Sequence, residues 1–267
     1  MAKAELIYLA TDSGLVTLSN PGGIGRWLNA GSSMQAQPLR CVWSNPHDPT
    51  HVICGDGQQL WQSHDGAQQW QPMDGPACRV LCASRTSPTR IMAHDGAAAW
   101  VSHDAGGTWH VLGTAQQVGM AGDTLWYDQM RSTDGGMSWQ TTPVTMVALS
   151  YDAKSRLMRD ADGVWVADAT PIVAPPVHCH SWAVCGSAPW TAVGADGSTV
   201  WRYHNTQWTA EAHLPVHLLH ASLYHPDQLW AVSHSGSVWM SIDRGQTWLN
   251  VRNGLSPIAA ITSARLV

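Results

Sequence analysis

Four segments of this chain follow one pattern, Ser-x-Asp-x-Gly-x-x-Trp or close to it. They run from Ser63 through Asp65 to Trp70, from Ser102 through Asp104 to Trp109, from Ser132 through Asp134 to Trp139, and from Ser241 through Asp243 to Trp248. The first copy has its glycine displaced, at Gly66, but keeps the spacing of serine, aspartate and tryptophan. A turn that recurs at intervals marks one supersecondary unit built several times, and this constrains the fold more than any bulk property.

The repeat extends beyond the box. An apolar pair stepping to serine precedes three boxes, as in Leu60-Trp61-Gln62-Ser63, and the same slot survives where the box has decayed, at Val164-Trp165 and Val200-Trp201. Seven such slots, centred on Thr17, Trp61, Trp100, Met130, Trp165, Trp201 and Trp239, are spaced 44, 39, 30, 35, 36 and 38 residues apart. Upstream of most slots lies a tight-turn cluster: Asp12-Ser13-Gly14, Asp56-Gly57, Asp95-Gly96, Asp162-Gly163 and Asp196-Gly197, with Asp128 and His234 in the corresponding places of the fourth and seventh units. Asp-Gly between apolar runs signals a hairpin, because glycine tolerates the positive φ such turns demand. Two further short apolar runs precede each turn, and no stretch holds a helical period.

Four antiparallel strands repeated seven times predict an all-β, seven-bladed β-propeller in a single domain. The blades are expected at about 5–30 with 257–267, 38–73, 77–113, 117–142, 144–172, 178–212 and 215–252. The apolar tail from Ile258 onward has no partner of its own, so it is expected to supply the missing first strand of blade 1 and close the fold.

Within the box, the aspartate is suited to accept backbone N–H groups of its own turn, glycine permits the reversal, and tryptophan folds back between sheets. This is structural chemistry. Ser-x-Asp-x-Gly-x-x-Trp resembles the Asp-box, or bacterial neuraminidase repeat, of a β-propeller superfamily that includes sialidases, xyloglucanases, sortilin-type receptors and photosystem II assembly factors. The resemblance implies that the boxes sit at the rim, opposite the binding or active face. In size and blade number the chain is most similar to the single-domain assembly factor-like propellers, which implies a scaffold for a protein client. That family displays an arginine-rich patch, and no arginine cluster is visible along this sequence.

A sialidase proper would need an arginine triad and an Arg-Ile-Pro motif; here Arg90-Ile91 is followed by Met92, and Glu5 and Glu211 are the only glutamates. A glycosidase needs two placed carboxylates, and few aspartates remain after boxes and turns. No catalytic residue and no cofactor is assigned. His178, His180, His217 and His220, near the starts of consecutive units, are weak candidates for a metal site, without the ligand count or spacing such a site requires. The turn residues Asp12, Asp56, Asp95, Asp128, Asp162, Asp196 and His234 form the candidate binding face, read either as turn chemistry or as an acidic rim attractive to a basic partner.

A net charge of -5, with only two lysines, excludes a nucleic-acid surface. No window reaches the length of a membrane helix, and the amino terminus lacks a signal-peptide core, so a cytoplasmic protein is expected, a removed leader aside. Six cysteines are too sparse for a disulfide scaffold and in a reducing compartment would pack as thiols. The expected function is a non-catalytic scaffold that binds a protein partner through the face opposite the boxes. The alternative is a propeller that binds or hydrolyses glycans, suggested by the box and by 16 tryptophans.

Overall fold

Short apolar runs separated by turns that demand positive φ cannot extend into helices, and they pair with their nearest neighbours. A computed structural model of the chain describes residues 4–266 apart from 24, 84–85, 122, 151–154, 169 and 187–189. The described residues form seven four-stranded antiparallel sheets and no helix. The fold is a seven-bladed β-propeller.

The strands of each blade are labelled a to d in order of pairing. Blade 1 is Ile258–Leu266, Ala4–Thr11, Gly14–Pro21 and Leu28–Ser33; blade 2 is Cys41–Ser44, Val52–Gly55, Leu60–Ser63 and Gln71–Met73. Blade 3 is Val80–Ala83, Ile91–His94, Ala98–Ser102 and His110–Thr114; blade 4 is Val118–Ala121, Thr124–Tyr127, Met130–Ser132 and Gln140–Thr141. Blade 5 is Val144–Leu149, Arg156–Asp160, Trp165–Ala167 and Thr170–Pro171; blade 6 is Ser181–Cys185, Thr191–Ala195, Val200–His204 and Gln207–Ala212. Blade 7 is Leu218–Ala221, Leu229–Val232, Val238–Ser241 and Leu249–Arg252.

The carboxy-terminal strand pairs antiparallel with the amino-terminal one, from Ala4 opposite Leu266 to Thr11 opposite Ile258, as the unpaired apolar tail predicted. Sequence-distant strands thereby share one sheet, and an edge of the first hairpin is covered. The chain divides into two compact units, Met1–Gln140 with Ile258–Val267, and Thr141–Pro257.

Within each unit the core lies between neighbouring blades. Leu6, Tyr8 and Leu15 of blade 1 pack with Val42, Val52 and Cys54 of blade 2. Cys41, Trp43 and Ile53 of blade 2 face Ile91 and Ala93 of blade 3. In the second unit, Val193 and Val200 of blade 6 meet Leu219, Leu229 and Trp239 of blade 7. Strand alternation explains the division: Cys41 and Cys54, on adjacent strands, point into different interblade layers. Each fully buried large apolar side chain in these layers contributes roughly 1.5–3 kcal/mol.

Candidate functional site at the turn end of the blades

Antiparallel order gives every blade two ends. The a–b and c–d connections leave from one, which carries the boxes. The b–c turn and the segment entering strand a share the other, here the turn end.

The box end is occupied by its own hydrogen bonds. In all four boxes the serine hydroxyl donates to the aspartate Oδ1 at 2.7–2.8 Å and accepts the N–H four residues on. The same Oδ1 accepts the N–H of Gln69, Thr108, Ser138 or Thr247. In three boxes the hydroxyl of that residue also donates to Oδ2. These bonds hold the carboxylates below the usual range: the Thr108 amide and hydroxyl bring Asp104 to about 2, and the Ser138 hydroxyl and amide lower Asp134 further. Trp70, Trp109, Trp139 and Trp248 are half-buried against the interblade layers.

At the turn end, three of the six predicted aspartates are committed to their own turns and a fourth to the entry of strand a. Asp56 accepts the N–H groups of Gln58 and Gln59, and Asp95 those of Ala97 and Ala98. Asp196 accepts those of Ser198 and Thr199, while Asp128 takes those of Gln116 and Gln117, at the entry to strand a. The slot tryptophans Trp100 and Trp201 donate their indole N–H to Asp95 and Asp196 at 2.8 and 2.9 Å. Burial opposes ionisation of Asp196, but these donors outweigh it and hold the carboxyl at about 2. Asp56 and Asp95 are lowered in the same way, against the effect of burial.

Two of the predicted residues, Asp162 and His234, lie in their b–c turns but do not supply the group that closes them. In blade 5 the accepting carboxylate is Asp160, which takes the N–H groups of Asp162 and Val164, because the turn opens two residues earlier than the Asp-Gly pair suggests. In blade 7 the acceptor is the Ser233 hydroxyl, which takes the Ser237 N–H, and His234 is exposed at the tip.

The sequence pointed to His180 and His217 only as metal candidates and to neither Arg40 nor Arg79, and so missed what the four share, the position immediately before strand a. Arg40, Arg79, His180 and His217 hold this position in blades 2, 3, 6 and 7. Each uses its backbone N–H to bond the carbonyl at or beside the end of strand b: Gly55, His94, Ala195 and Val232. Each side chain then lies by its own blade's b–c turn. A Cβ added at Gly57, Gly96 or Gly197 would come into ordinary contact with Arg40, Arg79 or His180, and the His217 ring stacks on His234. Arg40 also pairs with Asp12 of blade 1 at 2.7 Å, with both side chains well exposed. Four basic residues in four different blades, none closer than 37 positions to the next, leave no cluster in the sequence; the visible signal is their fixed offset ahead of the a strands.

In blades 6 and 7 this position builds a concavity of about 540 Å³, lined by His180, Pro215, His217, Ser233, His234 and Ser235 among others, with no carboxylate. The rings of His217 and His234 stack with centroids 3.7 Å apart and planes 20° from parallel. Imidazole lone pairs lie in the ring plane, so rings stacked this way do not converge on one ion. Of the four histidines weighed for a metal, only His180 and His217 line the concavity. His178 lies before strand a of blade 6, which starts at Ser181 and not upstream as the sequence suggested. His220 lies three residues beyond His217, where desolvation holds it at about 4. Among the described residues no group of three His, Cys, Asp or Glu side chains is arranged for a metal.

No protein-family model and no curated protein matches the chain. Among solved structures it is similar to YCF48 bound to D1 peptide, at 14% identity and a TM-score of 0.54, over 79% of this chain and 81% of that one. YCF48 from Cyanidioschyzon merolae matches at 15% identity and a TM-score of 0.52, over 81% of this chain and 86% of the other. An ancestral GH74 enzyme matches at 12% identity and a TM-score of 0.54; it covers 96% of this chain, which spans only 44% of the enzyme. At these identities the likeness is one of fold, and it agrees with the propeller resemblance carried by the boxes.

Proposed function

We propose that this chain is a non-catalytic propeller that binds a protein partner through the turn end of its blades, with a carboxylate-bearing segment as the recognised element. The observation that carries this reading is the repeated basic residue ahead of strand a. Arg40, Arg79, His180 and His217 stand over turns whose own carboxylates are mostly engaged by backbone N–H groups. A partner carboxylate therefore meets donors there rather than free like charge. The YCF48 structure with a bound D1 peptide supports peptide recognition as a task this fold performs.

The carboxylates also weigh against glycoside hydrolysis. A general acid needs its pKa raised towards neutrality, and Asp56, Asp95 and Asp196 are all shifted downward. Most of the tryptophans are likewise used in packing: Trp43, Trp126 and Trp230 are buried, and Trp165, Trp182 and Trp208 pack on one another between blades 5 and 6.

Photo-crosslinking tests the proposal. A crosslinking residue at Ser235, at the turn end, is expected to trap one reproducible partner, whereas the same residue at Ile242, in a box, traps none. Arg79→Glu and His217→Ala should weaken that capture by about tenfold each, the scale of one lost charge-assisted contact. Capture from Ile242 alone, or turnover of a fluorogenic glycoside panel by the purified protein, would overturn it.

A further inference from the structure

Cys41 opens strand a of blade 2, and Cys78 lies two residues before strand a of blade 3. Both are at most 1% exposed, in the apolar layer between these blades with Trp43, Ile53 and Ile91. Their Sγ atoms are 3.0 Å apart, inside the distance at which non-bonded sulfurs rest. An approach of about 1 Å separates this contact from a covalent S–S bond. No other cysteine competes for the contact on this side of the blade: Cys54 neighbours Cys41 on the adjacent strand but points into the layer between blades 1 and 2.

We propose that Cys41 and Cys78 are a disulfide-forming pair that fastens blade 2 to blade 3. The chemistry is two-step thiol–disulfide exchange with a small-molecule disulfide such as oxidised glutathione. One thiolate attacks the oxidant and releases one glutathione thiolate; the second thiolate attacks the mixed disulfide and releases the other. Two cysteine S–H bonds and the S–S bond of the oxidant are lost; one S–S bond joins Cys41 to Cys78, and the two protons and two electrons pass to glutathione, released as two thiols. In the closed core the hydrogen bond to Cys78, together with burial, raises the Cys41 thiol well above its ordinary range. The exchange therefore takes place during folding, before the layer seals, and the finished bond is shielded from reductant. Such a bond forms in an oxidising compartment and not in a reducing cytosol. It closes a loop between positions 37 apart in the chain, long enough for cross-linking to restrict the unfolded state substantially.

The full chain refolded in a glutathione redox buffer, then denatured and alkylated with iodoacetamide, decides the matter. Intact mass should show four alkylated cysteines, and peptide mapping should place the link between Cys41 and Cys78, leaving Cys54, Cys82, Cys179 and Cys185 modified. Reductant added during unfolding should lower Tm by about 5–10 °C, and the C41A/C78A variant should show no response to it. Six alkylated cysteines after oxidative refolding, or a link between any other pair, would overturn the proposal. The mass measurement on the unmodified sequence stands whether or not the variant folds.

Discussion

Blades 6 and 7 turn the same corner with different chemistry. In blade 7 the c–d connection is a full box from Ser241 to Trp248, fixed by the Ser241–Asp243 hydrogen bonds and a left-handed pair at Arg244 and Gly245. Blade 6 has no box. Its strands c and d meet through Asn205 and Thr206, at φ values of 49° and 68°, with His204 opposite Gln207. Two successive left-handed residues are what a two-residue hairpin requires, and they need no serine or aspartate. Both corners nonetheless deliver a tryptophan to an interblade layer: Trp248 between blades 6 and 7, and Trp208 between blades 5 and 6. The plug is what the two corners share, and the means of turning the chain is interchangeable.

The largest expected effect tests the plug. Trp248→Ala and Trp208→Ala should each cost about 2–4 kcal/mol in denaturant unfolding, the range for a large side chain removed from a partly buried site. A loss at Trp208 of less than half that at Trp248 would break the equivalence. The next effect separates the corners. Asp243→Ala should cost about 1–2 kcal/mol, because it removes the acceptor of three N–H or O–H donors within the turn. Asn205→Gly should change stability by less than about 0.5 kcal/mol, since glycine adopts the same φ. The smallest effect is the pH dependence of the boxes. Their aspartates are lowered in the folded state, so their contribution is complete above the ordinary carboxylate pKa near 4 and is lost as pH falls towards about 2, the value at Asp104. Tm measured from pH 5 to pH 2 should fall less steeply in Asp104→Asn than in the unmodified chain; identical slopes would sever the box from the acid response.

The blade count, the strand order and the fate of the carboxy-terminal tail were all legible in the sequence. So was the box aspartate's role as an acceptor. A finer point within the first box was not: Ala67 stands at φ 71° where the other boxes have glycine, with its methyl group buried in the layer between blades 1 and 2. The corresponding methyl at Gly106 would run into the end of the Met73 side chain, so alanine there would add a packing cost to the strain of the left-handed backbone. In blade 5 the sequence pointed to Asp162, yet Asp160 closes the turn: there the Asp-Gly pair lies two residues further round than in blades 2, 3 and 6, where its aspartate is the acceptor.

The sequence by itself determined the features held by bonds between near neighbours. A box reaches four residues, and a hairpin turn fewer, so their chemistry is written consecutively along the chain. Only the tertiary structure decided the pairs that depend on one blade facing the next: His180 with His217 and His234 around one concavity, and Cys41 against Cys78. His180 and His217, like Cys41 and Cys78, stand about one repeat apart, with no local bond to link them. They meet because strand a of blade 2 packs beside that of blade 3, and strand a of blade 6 beside that of blade 7, which converts a repeat spacing in sequence into contact in space.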